Sequence, residues 1–217
     1  MLGGGLPGAY RRVEYLESTG TQYIDTGIVL NKGCIIAVTF EVGDLSISDN
    51  YSSYGWRYYG DYGGKQQLYI NARRDDNAIY RMVIAGVPAS TSGTGGTIWY
   101  DLNVKNTIVL DSYSEKIYMN GVEVGGSYKY DFSNGTAFNS GGSSVYNPYL
   151  FAMNNKGAVA AISNRTKIYG YSIKQNNAFV QNFIPCVRKA DNKPGMYDTV
   201  SKTFYINAGT GEFIVPN

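Results

Sequence analysis

The sequence predicts an all-β fold built from many short, antiparallel strands. Apolar and polar residues alternate with the period of two that is typical of strands with one buried face, most clearly from Lys167 to Lys174. The chain of 217 residues contains 27 glycines and 21 tyrosines, a combination expected where tight turns separate short strands. Asn120-Gly121 and Asn176-Asn177 are typical of hairpin turns, and helical periodicity is hard to find anywhere in the chain.

The C-terminal quarter predicts a meander of about four strands. The chain is expected to turn at Asn176-Asn177, to return over residues 178–187, and to form a polar loop over residues 188–194. A last hairpin is expected to join residues 195–198 and 203–206. Within the first strand, two alternating sets are expected to face opposite ways: Lys167, Tyr169, Tyr171 and Ile173 on one side, and Ile168, Gly170, Ser172 and Lys174 on the other.

Further strands are predicted upstream on the same grounds. Residues 13–16 and 23–28 frame a turn at Ser18-Thr19-Gly20, where glycine supplies a conformation that other residues resist. The run Cys34–Val42 is the most apolar in the chain and is rich in β-branched residues, so we expect a central strand covered on both faces. The other expected strands are residues 67–73, 80–87, 98–102, 107–111, 116–119, 122–124 and 149–153.

A single domain of residues 10–217 is expected, since a large β domain of this length folds as one unit. Residues 1–9, MLGGGLPGA, are interpreted as a flexible glycine-rich lead-in. The N-terminus lacks the apolar core of a secretory signal, and no apolar run approaches the ~20 residues of a membrane helix, so no membrane insertion is expected. Cys34 and Cys186 allow a disulfide bond, but the missing signal favours two separate buried thiols.

Charge and composition argue against several functions. The formal net charge is +2, from 19 basic and 17 acidic side chains, and this balance predicts no nucleic-acid partner. Histidine is absent, which removes His-based triads, His metal sites and the commonest general base. A serine or cysteine nucleophile would therefore lack its usual base, and no phosphate-binding loop of the Gly-x-x-x-x-Gly-Lys-Ser/Thr type occurs.

Two stretches carry a resemblance to a known family. Residues 10–28 read YRRVEYLESTGTQYIDTGI, and residues 167–213 contain KIYGYSI followed by FVQNFIPCVRKADNKPGMYDTVSKTFYINAGTGEF. Together they resemble the laminin-G-like, concanavalin A-like jelly-roll modules of bacteriophage virion proteins and gut bacterial surface proteins. The hairpin of residues 116–124, with Asn120-Gly121 at its turn, extends the resemblance into the middle of the chain.

The resemblance implies a two-sheet antiparallel β-sandwich, a concanavalin A-like jelly roll, whose first and last segments lie close together. It also implies a role in binding or in virion architecture, on a virion or an extracellular surface. Concanavalin A-like sandwiches include glycoside hydrolases, which need two carboxylates across a cleft. That family places them on one strand as Glu-x-Asp-x-x-Glu, and the motif does not occur here, so the chain is not expected to be an enzyme.

An aromatic cluster in residues 44–62 suggests a binding platform. Tyr54, Trp56 and Tyr58 have the spacing of one face of a strand, with Arg57 on the opposite face. Tryptophan and tyrosine offer flat apolar faces to sugar C–H groups and polar groups to hydroxyls. Alternatively, these aromatic residues pack structurally, as many of the 21 tyrosines must. The candidate ligand-binding residues are Tyr54, Trp56, Arg57, Tyr58, Asn71, Arg73 and Trp99.

The acidic turn at Asp75 and Asp76 is a weak candidate for a metal site. Its carboxylates offer oxygen ligands to Ca²⁺, an ion that lectin-like sandwiches often hold. However, the spacing of an EF-hand is missing, and acidic turns are mostly just soluble turns. No cofactor is therefore expected.

Two hypotheses from different classes follow. The first, which is preferred, is a non-catalytic carbohydrate-binding module for adhesion, whose weak affinity for a surface glycan is compensated by multivalency. The second is an architectural module that packs on a neighbouring virion subunit, with the aromatic residues at the contact. A homo-oligomer formed through virion assembly fits either hypothesis.

Overall fold

The structure is a computed structural model, and it describes residues 5–29, 33–43, 57–59, 67–74, 80–86, 96–99, 103–111, 113–114, 116–124, 147–155, 157–160 and 162–216. These residues form eighteen β-strands and no helix, which confirms the predicted all-β fold. The strands, in chain order, are β1 (Tyr10–Arg12), β2 (Leu16–Thr19), β3 (Ile24–Asp25), β4 (Cys34–Val42), β5 (Arg57–Tyr59), β6 (Gln67–Arg74), β7 (Tyr80–Gly86), β8 (Gly96–Trp99), β9 (Asn106–Asp111), β10 (Lys116–Met119), β11 (Val122–Val124), β12 (Tyr149–Leu150), β13 (Met153–Asn155), β14 (Ala158–Ala160), β15 (Asn164–Gln175), β16 (Ala178–Arg188), β17 (Lys193–Asp198) and β18 (Phe204–Ile206).

The larger of the two main sheets contains ten strands. Eight follow the order β11-β10-β9-β4-β15-β16-β17-β18, while β1 pairs with β16 and β2 pairs with β15, always antiparallel. The predicted C-terminal meander is confirmed, since β15, β16, β17 and β18 are successive neighbours. Asn176 and Asn177, both at positive φ, make the turn between β15 and β16 as the sequence predicted.

One face of this large sheet forms the core. In β4 the residues alternate between buried and half-buried, so the prediction that both faces of this strand are covered is wrong. Its outer face is therefore only partly shielded from solvent. The largest fully buried side chains are Phe151, Leu16, Ile24, Ile36, Ile108 and Ile117.

A β-bulge in β15 breaks the alternation that the sequence predicts. The register with β4 shifts between Ile168 and Gly170, so Tyr169 is an extra residue on the β15 side. As a consequence Ile168 and Tyr171 are both buried, while Lys167 and Tyr169 are half-buried. The predicted grouping of Lys167 and Tyr169 on the same face as Tyr171 is therefore wrong, because it assumed a strand without a bulge.

The first and last segments of the chain lie against each other, as the expected sandwich requires. Glu17 and Ile214 exchange two backbone hydrogen bonds, of 2.9 and 3.0 Å. Val13 lies buried between β1 and β2 and donates its backbone N–H to the carbonyl of Pro185 at 3.1 Å. Because the chain bends between β1 and β2, the single strand predicted over residues 13–16 is wrong, and these two shorter strands occur instead.

The second main sheet contains six strands in the order β14-β13-β5-β6-β7-β8. Strands β5 to β8 form an antiparallel meander, but β13 runs parallel to β5, the one exception to the expected antiparallel arrangement among the described strands. Between β12 and β13, Phe151 adopts a left-handed φ of 66°, which divides the single strand predicted over residues 149–153. A large antiparallel sheet and a smaller second sheet are consistent with the predicted β-sandwich.

The two cysteines are separate buried thiols and form no disulfide bond. Cys34 pairs with Gln175 at the end of β15, whereas Cys186 lies near the far end of β16, opposite Gly195. At roughly 3.3 Å per residue along β16, the two positions are more than about 20 Å apart. Burial raises the pKa of the Cys186 thiol to about 12, which keeps it protonated and unreactive at neutral pH.

Replacing Phe40 tests whether β4 is the centre of the core. The side chain is only 3% exposed, so Phe40→Ala should lower the free energy of unfolding by about 3 to 5 kcal/mol through the cavity it leaves. Val122→Ala is the control, because that side chain on the edge strand β11 is 66% exposed and its loss should change stability by less than about 0.5 kcal/mol. Denaturant unfolding measures both, and equal effects would contradict the assignment.

Candidate functional site

Strand register decides which candidate ligand-binding residues share a face of the second sheet. Residues that pair directly lie on the same face, as do residues two apart within one strand. Strands β5 and β6 are in register through Arg57 and Tyr69. Strands β6, β7 and β8 are in register through Arg73, Arg81 and Trp99. Four of the seven candidates therefore occupy one face: Arg57, Asn71, Arg73 and Trp99.

We name this the polar face of the second sheet, because it differs in composition from the opposite one. Its positions are Arg57, Tyr59, Gln67, Tyr69, Asn71, Arg73, Arg81, Val83, Ala85, Thr97 and Trp99. The positions of the opposite face are mostly apolar: Tyr58, Leu68, Ile70, Ala72, Arg74, Tyr80, Met82, Ile84, Gly86, Gly96 and Ile98. Such a difference is typical of an antiparallel sheet that covers a core with one face only.

Tyr58 falls on the mostly apolar face, away from Arg57, as the sequence spacing predicted. It pairs with Leu68 on one side and with Asn154 on the other. Asn154 is fully buried, and its side-chain amide donates a 2.8 Å hydrogen bond to the carbonyl of Asn147. The remaining candidates lie outside the described residues: Tyr54, Trp56, Asp75 and Asp76.

Tyr69 and Arg81 are among the members of the polar face that the sequence analysis missed. The signal for Arg81 was present in the predicted strands over residues 67–73 and 80–87, whose antiparallel pairing places Arg73 opposite Arg81. Arg81 can be assigned to this face only if the register between β6 and β7 is known to within one residue. Tyr69 could have been found from its spacing of two from Asn71.

A different group of polar and aromatic side chains lies on the outer face of the large sheet. Glu41 accepts hydrogen bonds from Lys167 Nζ at 2.7 Å and from the Tyr169 hydroxyl at 2.6 Å. Tyr15 meets Tyr169 edge-on, with ring centroids 5.4 Å apart, and Lys105 Nζ lies 4.0 Å from the Tyr169 centroid. We name these five residues the outer cluster.

The charges of the outer cluster stabilise one another. Burial opposes ionisation of Glu41, but the hydrogen bonds from Lys167 and Tyr169 outweigh it and lower the pKa of the carboxyl. Burial and the bond to Glu41 raise the pKa of the Tyr169 phenol, and the bond to Glu41 raises the pKa of the Lys167 ammonium. Glu41 is thus an anion whose two oxygens are already occupied. The cluster thus adds side-chain contacts between Tyr15, which lies between β1 and β2, and strand β15.

Neither a metal cluster nor a membrane-spanning helix occurs in the part of the chain that the structure describes. Within it, no three or more Cys, Asp or Glu side chains gather where they would hold a metal ion. The same residues include no helix of the length and hydropathy needed to cross a bilayer. Because Asp75 and Asp76 are outside that part of the chain, calcium binding at their turn stays a prediction.

The fold and register define an all-β chain with a large antiparallel sheet and a second sheet that has one polar face. No protein-family model, curated protein or solved structure matches the chain.

Removing the Glu41 carboxylate should make stability less dependent on acid pH. Glu41→Gln should cost about 1 to 3 kcal/mol near neutral pH, because it removes hydrogen bonds between a charged acceptor and its donors. The folded pKa of Glu41 lies below its ordinary value of 4.5, so its stabilising effect is complete above that pH and is lost as the pH falls through the folded pKa. The gap in free energy of unfolding between wild type and Glu41→Gln should therefore close in acid.

Glu123→Gln provides the control for that experiment. Glu123 forms a 2.8 Å ion pair with Lys116, but both side chains are largely exposed. Its removal should cost less than about 1 kcal/mol. Denaturant unfolding at a series of pH values measures both variants, and a cost of Glu41→Gln that stays constant down to the acid limit would contradict the assigned role.

Proposed function

We propose that this chain is a non-catalytic carbohydrate-binding module, a laminin-G-like jelly roll that serves adhesion from a virion or another extracellular surface. Its ligand is a surface glycan, and its platform is the polar face of the second sheet. Trp99 offers an apolar ring face to the C–H groups of a sugar. Arg57, Asn71 and Arg73 supply donors, and Asn71 also an acceptor, for hydroxyl groups of a glycan that extends across the face.

The strand register is the observation that carries this proposal. It supports the platform because it gathers arginine, asparagine, tyrosine and tryptophan positions from four strands on one face. On that face Arg73 directly opposes Arg81.

Weak binding at one platform is compatible with adhesion. A sheet face offers shallow contacts, so affinity for one glycan is expected to be low, and several modules held on one particle raise the overall affinity without new contacts. A homo-oligomer formed through virion assembly would supply those copies. The balanced charge of the chain, with 19 basic and 17 acidic side chains, fits a glycan partner better than nucleic acid.

Adjacent arginines on opposite faces of β6 provide a matched test. Arg73 belongs to the polar face and Arg74 to the opposite one, so Arg73→Ala and Arg74→Ala remove the same charge from different sides. On a glycan array, Arg73→Ala and Trp99→Ala should weaken binding at least about tenfold, while Arg74→Ala should bind like the wild type. Melting temperatures of all variants show whether each remains folded.

The outcomes separate adhesion from architecture. Equal losses for Arg73→Ala and Arg74→Ala would contradict the platform, and absence of wild-type binding to any glycan would contradict adhesion. In the latter case, self-association of the wild type that Arg73→Ala abolishes would support the architectural hypothesis. Sensitivity of binding to EDTA would show that calcium takes part.

A further inference from the structure

The turn between β15 and β16 is flanked by two exposed aromatic side chains. Tyr113 is 52% exposed and Phe179 is 46% exposed. The other aromatic residues whose exposure the structure gives are buried or half-buried. Both side chains therefore present apolar ring surface to solvent beside the same turn.

Tyr113 is held rigidly although it is exposed. Its backbone N–H donates to Asp111 Oδ1 at 2.9 Å, and its hydroxyl donates to Asn176 Oδ1 at 3.0 Å. A Cβ atom at Gly33 would lie 3.0 Å from Cζ of Tyr113 and 3.2 and 3.3 Å from its two Cε atoms. The end of the ring therefore rests on the Gly33 backbone, and more than half of the residue remains open to solvent.

Each of the two exposed rings has polar groups beside it. Asn176 and Asn177 are exposed at the turn itself, with φ angles of 50° and 62°. Lys174 Nζ lies 4.7 Å from the Phe179 centroid, on the strand position directly paired with Phe179. A fixed aromatic face with amide groups beside it is a combination suited to a sugar, whose C–H groups need an apolar surface and whose hydroxyls need hydrogen bonds.

The size of this surface favours a sugar over a protein. A stable protein partner covers roughly 800 Å² on each side, with a well-packed apolar centre. A single exposed tyrosine ring beside a polar turn offers apolar area for only a small ligand. Fixing Tyr113 in advance also lowers the entropy lost when a ligand binds.

We propose that Tyr113 and the turn residues Asn176 and Asn177 form a second carbohydrate site, in which a neutral pyranose ring stacks on Tyr113 and its hydroxyls bond the side-chain amides of the turn. This inference rests on the proposed function and adds a site on the large sheet to the platform on the second. Neither strand of this hairpin pairs with the second sheet, so the two sites use different residues throughout.

Titration of the full chain with glucose, galactose, mannose and N-acetylglucosamine tests this site. In ¹H–¹⁵N NMR spectra, at least one of these sugars should shift the amide signals of Gly33, Asn176 and Asn177. Tyr113→Ala should weaken that titration about tenfold, whereas Tyr113→Phe, which keeps the ring, should retain most of it. Tyr118→Ala is the control, because Tyr118 is a half-buried tyrosine in the middle of β10. It should titrate like the wild type.

Folding and the first site are controlled separately. If Tyr113→Ala lowers the melting temperature, Tyr113→Leu keeps apolar volume without a flat ring and should lose binding as well. Arg73→Ala should leave the titration of Gly33 and Asn176 unchanged. If none of the four sugars shifts these amide signals, or if Tyr113→Ala and wild type bind equally, this site is overturned, even if Arg73→Ala abolishes array binding. If both Arg73→Ala and Tyr113→Ala bind the glycan array like the wild type, both proposals are overturned.

Discussion

The pairing of β15 on both of its edges fixes the position of most other described elements. This strand of 12 residues pairs with β4 along one edge and with β2 and then β16 along the other. Its buried side chains, among them Ile168, Tyr171 and Ile173, enter the core. A slip by one residue would move this apolar set to the outer face and break hydrogen bonds on both edges, so the register of β15 is strongly specified.

Both surface features of the large sheet depend on that register. At one end, the bulge at Tyr169 leaves Lys167 and Tyr169 on the outer side, where Glu41 of the neighbouring strand accepts a hydrogen bond from each. At the other end, β15 stops at the turn that carries Asn176, the acceptor for Tyr113. Different chemistry results at the two ends. In the outer cluster Glu41 and Lys167 form an ion pair, whereas the rings beside the turn remain open to solvent.

Local sequence signals predicted elements whose cause is local. An apolar, β-branched run predicted β4, and turn residues predicted β16 and both asparagine hairpins, because strand propensity and positive φ are properties of neighbouring residues. The bulge at Tyr169, the positive φ of Phe151 and the parallel pairing of β13 with β5 depend on residues distant in sequence. Propensity carries no information about them: phenylalanine at positive φ is unfavourable in isolation and persists only where its surroundings hold it.

The candidate sites show the same limit. Arg57, Asn71, Arg73 and Trp99 were identified from residue type, but only the register of four strands shows that they share a face. Tyr113 was missed because its neighbours, Gly33 and Asn176, are distant in sequence. In both cases backbone pairing, which is set by core packing, determines the spacing of the surface residues. Residues placed in this way before a ligand binds need little ordering on binding. A change in the core that shifts strand register should move the residues of both sites and so weaken ligand binding at both.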